Sequence, residues 1–323
     1  MKNWRKHLGL LIPVLVIVGI ALGVRITGKP ATREAFFTVL KGIALATSLN
    51  MILGYTGYVS FAHIIFFGLG GYVGFYLINQ QGLSLWVAML AGGAAAGVLA
   101  FLLGKAILHL RGAYFALATI GVNAALQAFI TNFEPFGGPI GMTLNFKVYQ
   151  QYGGAARALE MAFYLLAAIA LVGVIVSYLI RTSKFGLGLL AIREDEDAAE
   201  VMGVVAPNAK TWAYVLSAIL PGVIGALFFF KNGNIEPHDA FPLHASIELI
   251  VMVMLGGHGT VLGPVLGATV YQRMRVMLLT SPIFKNIQLS VAGALLLLIV
   301  LFAPSGVVGW LRNRFPILRR VLQ

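Results

Sequence analysis

The sequence has no cysteine and only 11 acidic residues among 323. The missing cysteines exclude disulfides, thiol nucleophiles, iron–sulfur clusters and cysteine zinc sites. The missing acids belong to a wider scarcity. Charged residues make up 11% of the chain and hydrophobic ones 59%, with mean hydropathy +0.89, whereas a globular chain carries roughly 25% charged residues. That excludes a soluble enzyme domain. A phosphate-binding loop is also missing. Its nearest candidate, Gly104-Lys105-Ala106, has Leu99 where the first glycine is required and no hydroxyl after the lysine, so ATP is not held through that motif. His63, His238, His244 and His258 lack the i, i+4 pairing of a helical metal site. Ser60, His63 and Glu248 have the residue types of a hydrolase triad, but no Gly-x-Ser-x-Gly elbow accompanies them.

What the chain does have is long apolar runs. They fall at about 8–26, 36–54, 60–79, 84–108, 113–131, 160–180, 212–231, 246–279 and 286–303. Each is read as helix, because a chain that crosses lipid repeatedly must satisfy its backbone internally. At about 20 residues per span, the expected fold is an all-α polytopic membrane protein of about ten transmembrane segments. The first run, flanked by Lys2, Arg5 and Lys6, is read as a retained span. The net charge of +12 would suggest nucleic-acid binding in a soluble protein. Here it gathers at span ends, as in Arg312, Arg314, Arg319 and Arg320, where positive-inside topology and anionic lipid explain it without a nucleic-acid partner. A cytoplasmic N-terminus then puts the longest charged loop, 182–211, in the cytoplasm. It also leaves Arg25, Lys29 and Arg33 outside, against the usual bias. A cytoplasmic C-terminus requires 246–279, interrupted by Gly256, Gly257 and Gly259, to cross twice or re-enter.

Glycine is abundant, at 38 residues. Gly70, Gly74 and the run Gly92, Gly93, Ala94, Ala95, Ala96, Gly97 read as close-packing positions between helices. Two other clusters end an apolar run abruptly: Gly54 to Gly57 (GYTG) and Gly256 to Gly259 (GGHG). Paired interruptions of this kind point to an internal repeat whose broken helices line a substrate path. Thr119, Asn123 and Gln127 share one helix face, as do Thr47, Asn50 and Gly54. Neutral amides and hydroxyls suit a polar or zwitterionic solute, although interhelical hydrogen bonding would use the same residues. Ser60 follows the first break. The expected path is therefore Thr47, Asn50, Gly54, Gly57, Ser60, Thr119, Asn123, Gln127, Gly256, Gly257 and Gly259. Glu248, an acid well inside an apolar run, is either a proton carrier or the partner of a basic residue.

Five acids crowd into Glu194 to Glu200. Arg193 to Met202 reads as one short helix ended by Gly203, with Ala198 and Ala199 as a small-residue patch that would fit the groove of another protein. Asp197 to Gly203, DAAEVMG, resembles the EAA-x3-G coupling motif of ABC importer permeases, with aspartate for glutamate and the downstream Ile-x-Leu-Pro reduced to Ile219-Leu220-Pro221. The segments LNMILGYTGYVSFAHIIFFGLGGY, LRGAYFALATIGVNAALQAF, GGPIGM, SKFGLGLLAIREDEDAAEVMG and LIVMVMLGGHGTVLGPVLGA together resemble the LivM-like branched-chain amino acid permease family, from about residue 36 to 303.

That resemblance implies a single permease domain over 1–323 in the bacterial cytoplasmic (inner) membrane, with 182–211 as its coupling loop. It implies a second, homologous permease subunit, two cytoplasmic ATPase subunits that hold ATP and Mg, and an extracytoplasmic substrate-binding protein. No cofactor is expected on this chain. Arg193, Glu194, Asp195, Glu196, Asp197, Ala198, Ala199 and Gly203 would form the coupling helix. Urea or short amides are alternative cargoes, and an ion-coupled secondary transporter or a membrane-embedded enzyme are the rival classes.

Overall fold

The computed structural model describes residues 4–280 and, beyond them, 287, 290, 291, 293, 294, 297, 298 and 306–309. The last apolar run, 286–303, lies mostly outside the described residues, as do Lys2, Arg312, Arg314, Arg319 and Arg320. The chain is helical almost throughout: α1 (Trp4–Thr27), α2 (Pro30–Thr56), α3 (His63–Gln81), α4 (Leu85–Ile107), α5 (Ala113–Thr131), α6 (Ala155–Thr182), α7 (Lys184–Glu194), α8 (Glu196–Val201), α9 (Ala206–Asn232), α10 (Pro237–Ala240), α11 (Leu243–Gly256) and α12 (Leu262–Thr280). A two-residue antiparallel pairing, β1 (Met142–Thr143) with β2 (Asn234–Ile235), is the one extended ladder among the described residues. Seven stretches there are long and apolar enough to cross a membrane: most of α1, all of α2, α4, α5, α6 and α9, and the run 237–256.

The chain divides into two compact units. One comprises 1–57, 167–199 and 247–323, the other 58–166 and 200–246. In the first, α2 is buried from Val39 to Thr56 almost without interruption and packs against α12, α7 and α1. Gly42 faces the Gln272 amide, where a Cβ would sit 3.1 Å from Nε2. The broken window at 246–279 is a pair of helices, α11 and α12, joined through residues 257–261.

In the second unit α3, α4 and α9 pack on one another, and the contact is made by glycine. One glycine from each helix meets the others. A Cβ on Gly70 would collide with the Gly222 carbonyl, one on Gly92 would lie 2.7 Å from Gly70 O, and one on Gly222 would lie 2.5 Å from Gly92 O. Helix backbones approach this closely only where side chains are absent, so the packing expected of Gly70, Gly74 and Gly92 is what the fold uses. Tyr149, in the turn Phe146–Tyr152, donates to Phe230 O at 2.6 Å. Its burial pushes the phenol above its ordinary range, keeping the donor proton in place.

The segment read as one helix over Arg193–Met202 is two. Ser183 caps α7, its Oγ accepting from Gly186 N at 3.1 Å. Asp195 interrupts with an extended backbone, φ −158° and ψ 113°, and its carboxylate accepts from Ala198 N at 3.0 Å to start α8. A side-chain oxygen that takes an orphan amide favours a new helix start over continuation of the old one.

Candidate functional site

Both glycine breaks lie in the first unit, and one side chain ties them together. α2 stops at Thr56 because Gly57 takes φ +79° and turns its N–H back to Leu53 O at 3.1 Å. α11 stops at Gly256, followed by Gly257 at φ +115° and Gly259 at φ +72°. Such backbone is the province of glycine. Inside the second break Thr260 Oγ1 donates to Gly257 O at 2.8 Å and accepts from Gly263 N at 3.0 Å. The Asn50 amide then spans it. Its Nδ2 donates to Thr260 O at 3.0 Å, and its Oδ1 accepts from Gly259 N at 2.9 Å. Gly54 makes room, since a Cβ there would collide with Asn50 Oδ1 and lie 2.6 Å from Gly259 N. Asn50 is wholly buried, and each of its hydrogen bonds is worth about 1 kcal/mol net.

A cation completes the junction. Arg193, near the end of α7, donates from Nη1 to Gly54 O at 2.9 Å, while its Nη2 meets Glu194 Oε1 at 3.0 Å. Gly54 O is among the carbonyls left open where α2 ends, at the negative pole of its dipole. The guanidinium also lies against the second break, because a Cβ on Gly259 would be 2.5 Å from Nη1. Asn50, Gly54, Gly57, Gly256, Gly257 and Gly259, expected as a path, are thus brought together with one residue expected only in the coupling helix.

The expected polar residues of the second unit serve mainly to hold backbone. Thr119 Oγ1 accepts from Phe61 N at 3.1 Å and donates to Ala116 O at 2.7 Å, fixing the connection after the first break. Ser60 Oγ lies 3.4 Å from the Tyr214 hydroxyl. Asn123 Nδ2 donates to Phe241 O at 3.3 Å, and Gln127 on the same helix is half-buried. Among the described residues Asn123 Oδ1, the Tyr72 hydroxyl, Ser246 Oγ and, in the first unit, Thr47 Oγ1 are buried without a hydrogen-bond partner. Tyr72 stacks on Phe241, with centroids 6.0 Å apart and planes 5° from parallel. Tyr72, Phe241 and Ser246 were not singled out from the sequence. A lone tyrosine or serine in an apolar run carries no periodic signal, and Phe241 sits in the short connection between α10 and α11.

The small-residue patch is revised. Ala199 is 3% exposed, so it is not an outward-facing patch, while Ala198 is exposed. The apolar groups facing outward are Val201 at 87%, Met202 at 85% and Val205 at 63%. Gly203, at φ +92°, ends the segment with nothing within 4 Å of a Cβ. Glu248 has a basic partner, Arg275, whose Nη1 lies 2.8 Å from Oε2.

A family model described as "Branched-chain amino acid transport system / permease component" matches residues 35–300. The chain belongs to this family. The permease is 27% identical over 289 residues to the high-affinity branched-chain amino acid transport system permease protein LivM of Escherichia coli K12, covering 82% of this chain and 67% of that protein. It is 23% identical to LivH of the same organism over 82% of this chain and 90% of that one. It is 26% identical to BraD of Pseudomonas aeruginosa, with the same two coverages. No solved structure matches it. With seven apolar membrane-length stretches among its described residues, the permease is a multi-pass protein of the inner membrane, in a family of transport components rather than enzymes. As a permease component it works with partner subunits. The Glu248–Arg275 ion pair accounts for the buried acid by structure, as one of its two readings required.

Proposed function

We propose that this chain is a transmembrane subunit of an ABC importer that moves branched-chain or related hydrophobic and neutral amino acids inward by alternating access. Residues 1–323 act as one permease domain of about ten membrane segments, with the two glycine breaks belonging to an internal repeat. The chain pairs with a second, homologous permease. An extracytoplasmic binding protein delivers the amino acid. Two cytoplasmic ATPase subunits bind ATP and Mg and supply the work, and this chain holds no cofactor. The buried, unpartnered oxygens of Asn123, Tyr72 and Ser246 support a solute rich in hydrogen-bonding groups, and the relatives, branched-chain amino acid transport permeases, support an amino acid.

One observation carries the reading. The segment that gathers the chain's scarce acids, and so cannot lie in lipid, leaves Val201 and Met202 almost fully exposed. Apolar side chains held out in water mark a surface that another protein covers. Coupling needs a partner whose contacts differ between its two states, and this tip offers a place to make them. Val201→Asp combined with Met202→Asp is expected to leave membrane insertion unchanged, to abolish co-purification with the ATPase and to lower uptake at least tenfold. Wild-type uptake and full ATPase recovery would overturn the docking role.

A further inference from the structure

We propose that Arg193 is the positioning residue that locks the coupling segment to both helix breaks, so that α7, the end of α2 and the α11–α12 junction move as one body during transport. The inference rests on the coupling reading above and goes beyond it by naming the connection. Only Asp195 separates α7 from the acidic helix α8, so a displacement of the tip reaches Arg193 through the chain itself. From there the guanidinium holds Gly54 O at 2.9 Å and lies against Gly259. Asn50 binds the α2 end to Gly259 and Thr260 through both ends of its amide. The Arg193 stem is seated too, since a Cβ on Gly57 would lie 3.1 Å from its Cγ. One side chain thus touches the α2 break at Gly54 and Gly57 and the second break at Gly259.

The chemistry suits a load-bearing link. A planar guanidinium can hold a carbonyl with one arm and a carboxylate with the other, as Arg193 does with Gly54 O and Glu194 Oε1. A charge at the open C-terminal end of a helix gains from the dipole as well as from the hydrogen bond. Its partner is a backbone carbonyl, so α2 cannot rotate away from α7 without breaking the bond. Lysine would keep the charge and donors for Gly54 O but lose the planar fork that holds two partners at once.

The test uses the complete importer, with ATPase subunits and binding protein, in proteoliposomes. Arg193→Met is expected to keep ATPase co-purification and ATP hydrolysis while lowering amino acid transported per ATP on the order of tenfold, as befits loss of a hydrogen bond to a charged group. Arg193→Lys should recover part of that ratio, a pattern that general loss of structure would not give. A second measurement needs no change at Arg193. Because the chain has no cysteine, spin labels at Leu187→Cys on α7 and Val270→Cys on α12, both exposed, report the distance across the link. That distance should stay constant between nucleotide-free and ATP-trapped states. Wild-type transport per ATP in Arg193→Met, or a Leu187–Val270 distance that changes with nucleotide in the otherwise unaltered chain, would overturn the link. Failure of the unaltered chain to bind the ATPase would instead overturn the coupling reading on which it rests.

Discussion

Each of the two units is held together internally, and by opposite means. In the unit containing α3, α4 and α9, backbone meets backbone at Gly70, Gly92 and Gly222, with no side chain between. In the unit containing α2, α7, α11 and α12, two helices end early and their ends are joined by the Asn50 amide and the Arg193 guanidinium. Close-packed surfaces have few alternative arrangements of similar energy, because separation forfeits many contacts at once. The junction has no such breadth and depends on a few hydrogen bonds, each worth about 1 kcal/mol net. The glycine-packed unit therefore keeps its shape through contact spread over whole helix faces, and the hydrogen-bonded junction through a few bonds at named residues.

This contrast can be broken or sharpened by substitution. Gly222→Val should have the largest effect. Even its Cβ would lie 2.5 Å from Gly92 O and 2.6 Å from the Ala96 Cβ, so the three helices must separate, at about 3 kcal/mol or more. The variant should be scarce in membrane extracts and melt early. Normal abundance and melting would show that the glycine contact does not hold the unit. Asn50→Leu comes next, leaving Thr260 O and Gly259 N without the amide, at about 2 kcal/mol. It should accumulate normally yet lose uptake, with residues 257–260 newly open to protease. Protection equal to wild type would place the tie elsewhere. Gly97→Ala should do least, within about 0.5 kcal/mol, because its Cβ would meet only side chains, Ile219 at 3.2 Å and Val215 at 3.9 Å, and Ile219 can turn aside. If its effect matches that of Gly222→Val, then glycine content rather than backbone contact governs the unit.

Much of this arrangement could be read before any coordinates. Runs of apolar residues located α4 and α5 to within one residue at each end, since only helices satisfy the backbone in lipid, but began α2 six residues late. Both glycine breaks were visible because glycine alone relaxes into the positive-φ backbone found at Gly57, Gly257 and Gly259. The role of Asn50 was not legible. Its spacing from Thr47 and Gly54 fixed a helix face, but its partner Thr260 is 210 residues away, and no local pattern carries that distance. Arg193 was assigned to a docking helix because the acids around it are conspicuous, whereas the carbonyl it holds, Gly54 O, is exposed only by the end of a different helix. Ala199 misled for a related reason. Small residues suit burial against one's own chain as well as against another, and sequence alone does not separate the two.

The junction also limits how such a protein can be inherited. Asn50, Gly54, Gly259 and Arg193 share so little space that a methyl group at Gly54 meets Asn50 and Gly259, and one at Gly259 meets Arg193 and Gly54. Each residue is acceptable only in the company of the others. Descendants that lose one of them must pass through a poorly functioning ancestor or change two at once, so the four should vary as a set. A relative with a side chain at position 54 should carry something shorter than asparagine at position 50 and a different backbone course at position 259, whose amide nitrogen a Cβ at 54 would approach to 2.6 Å.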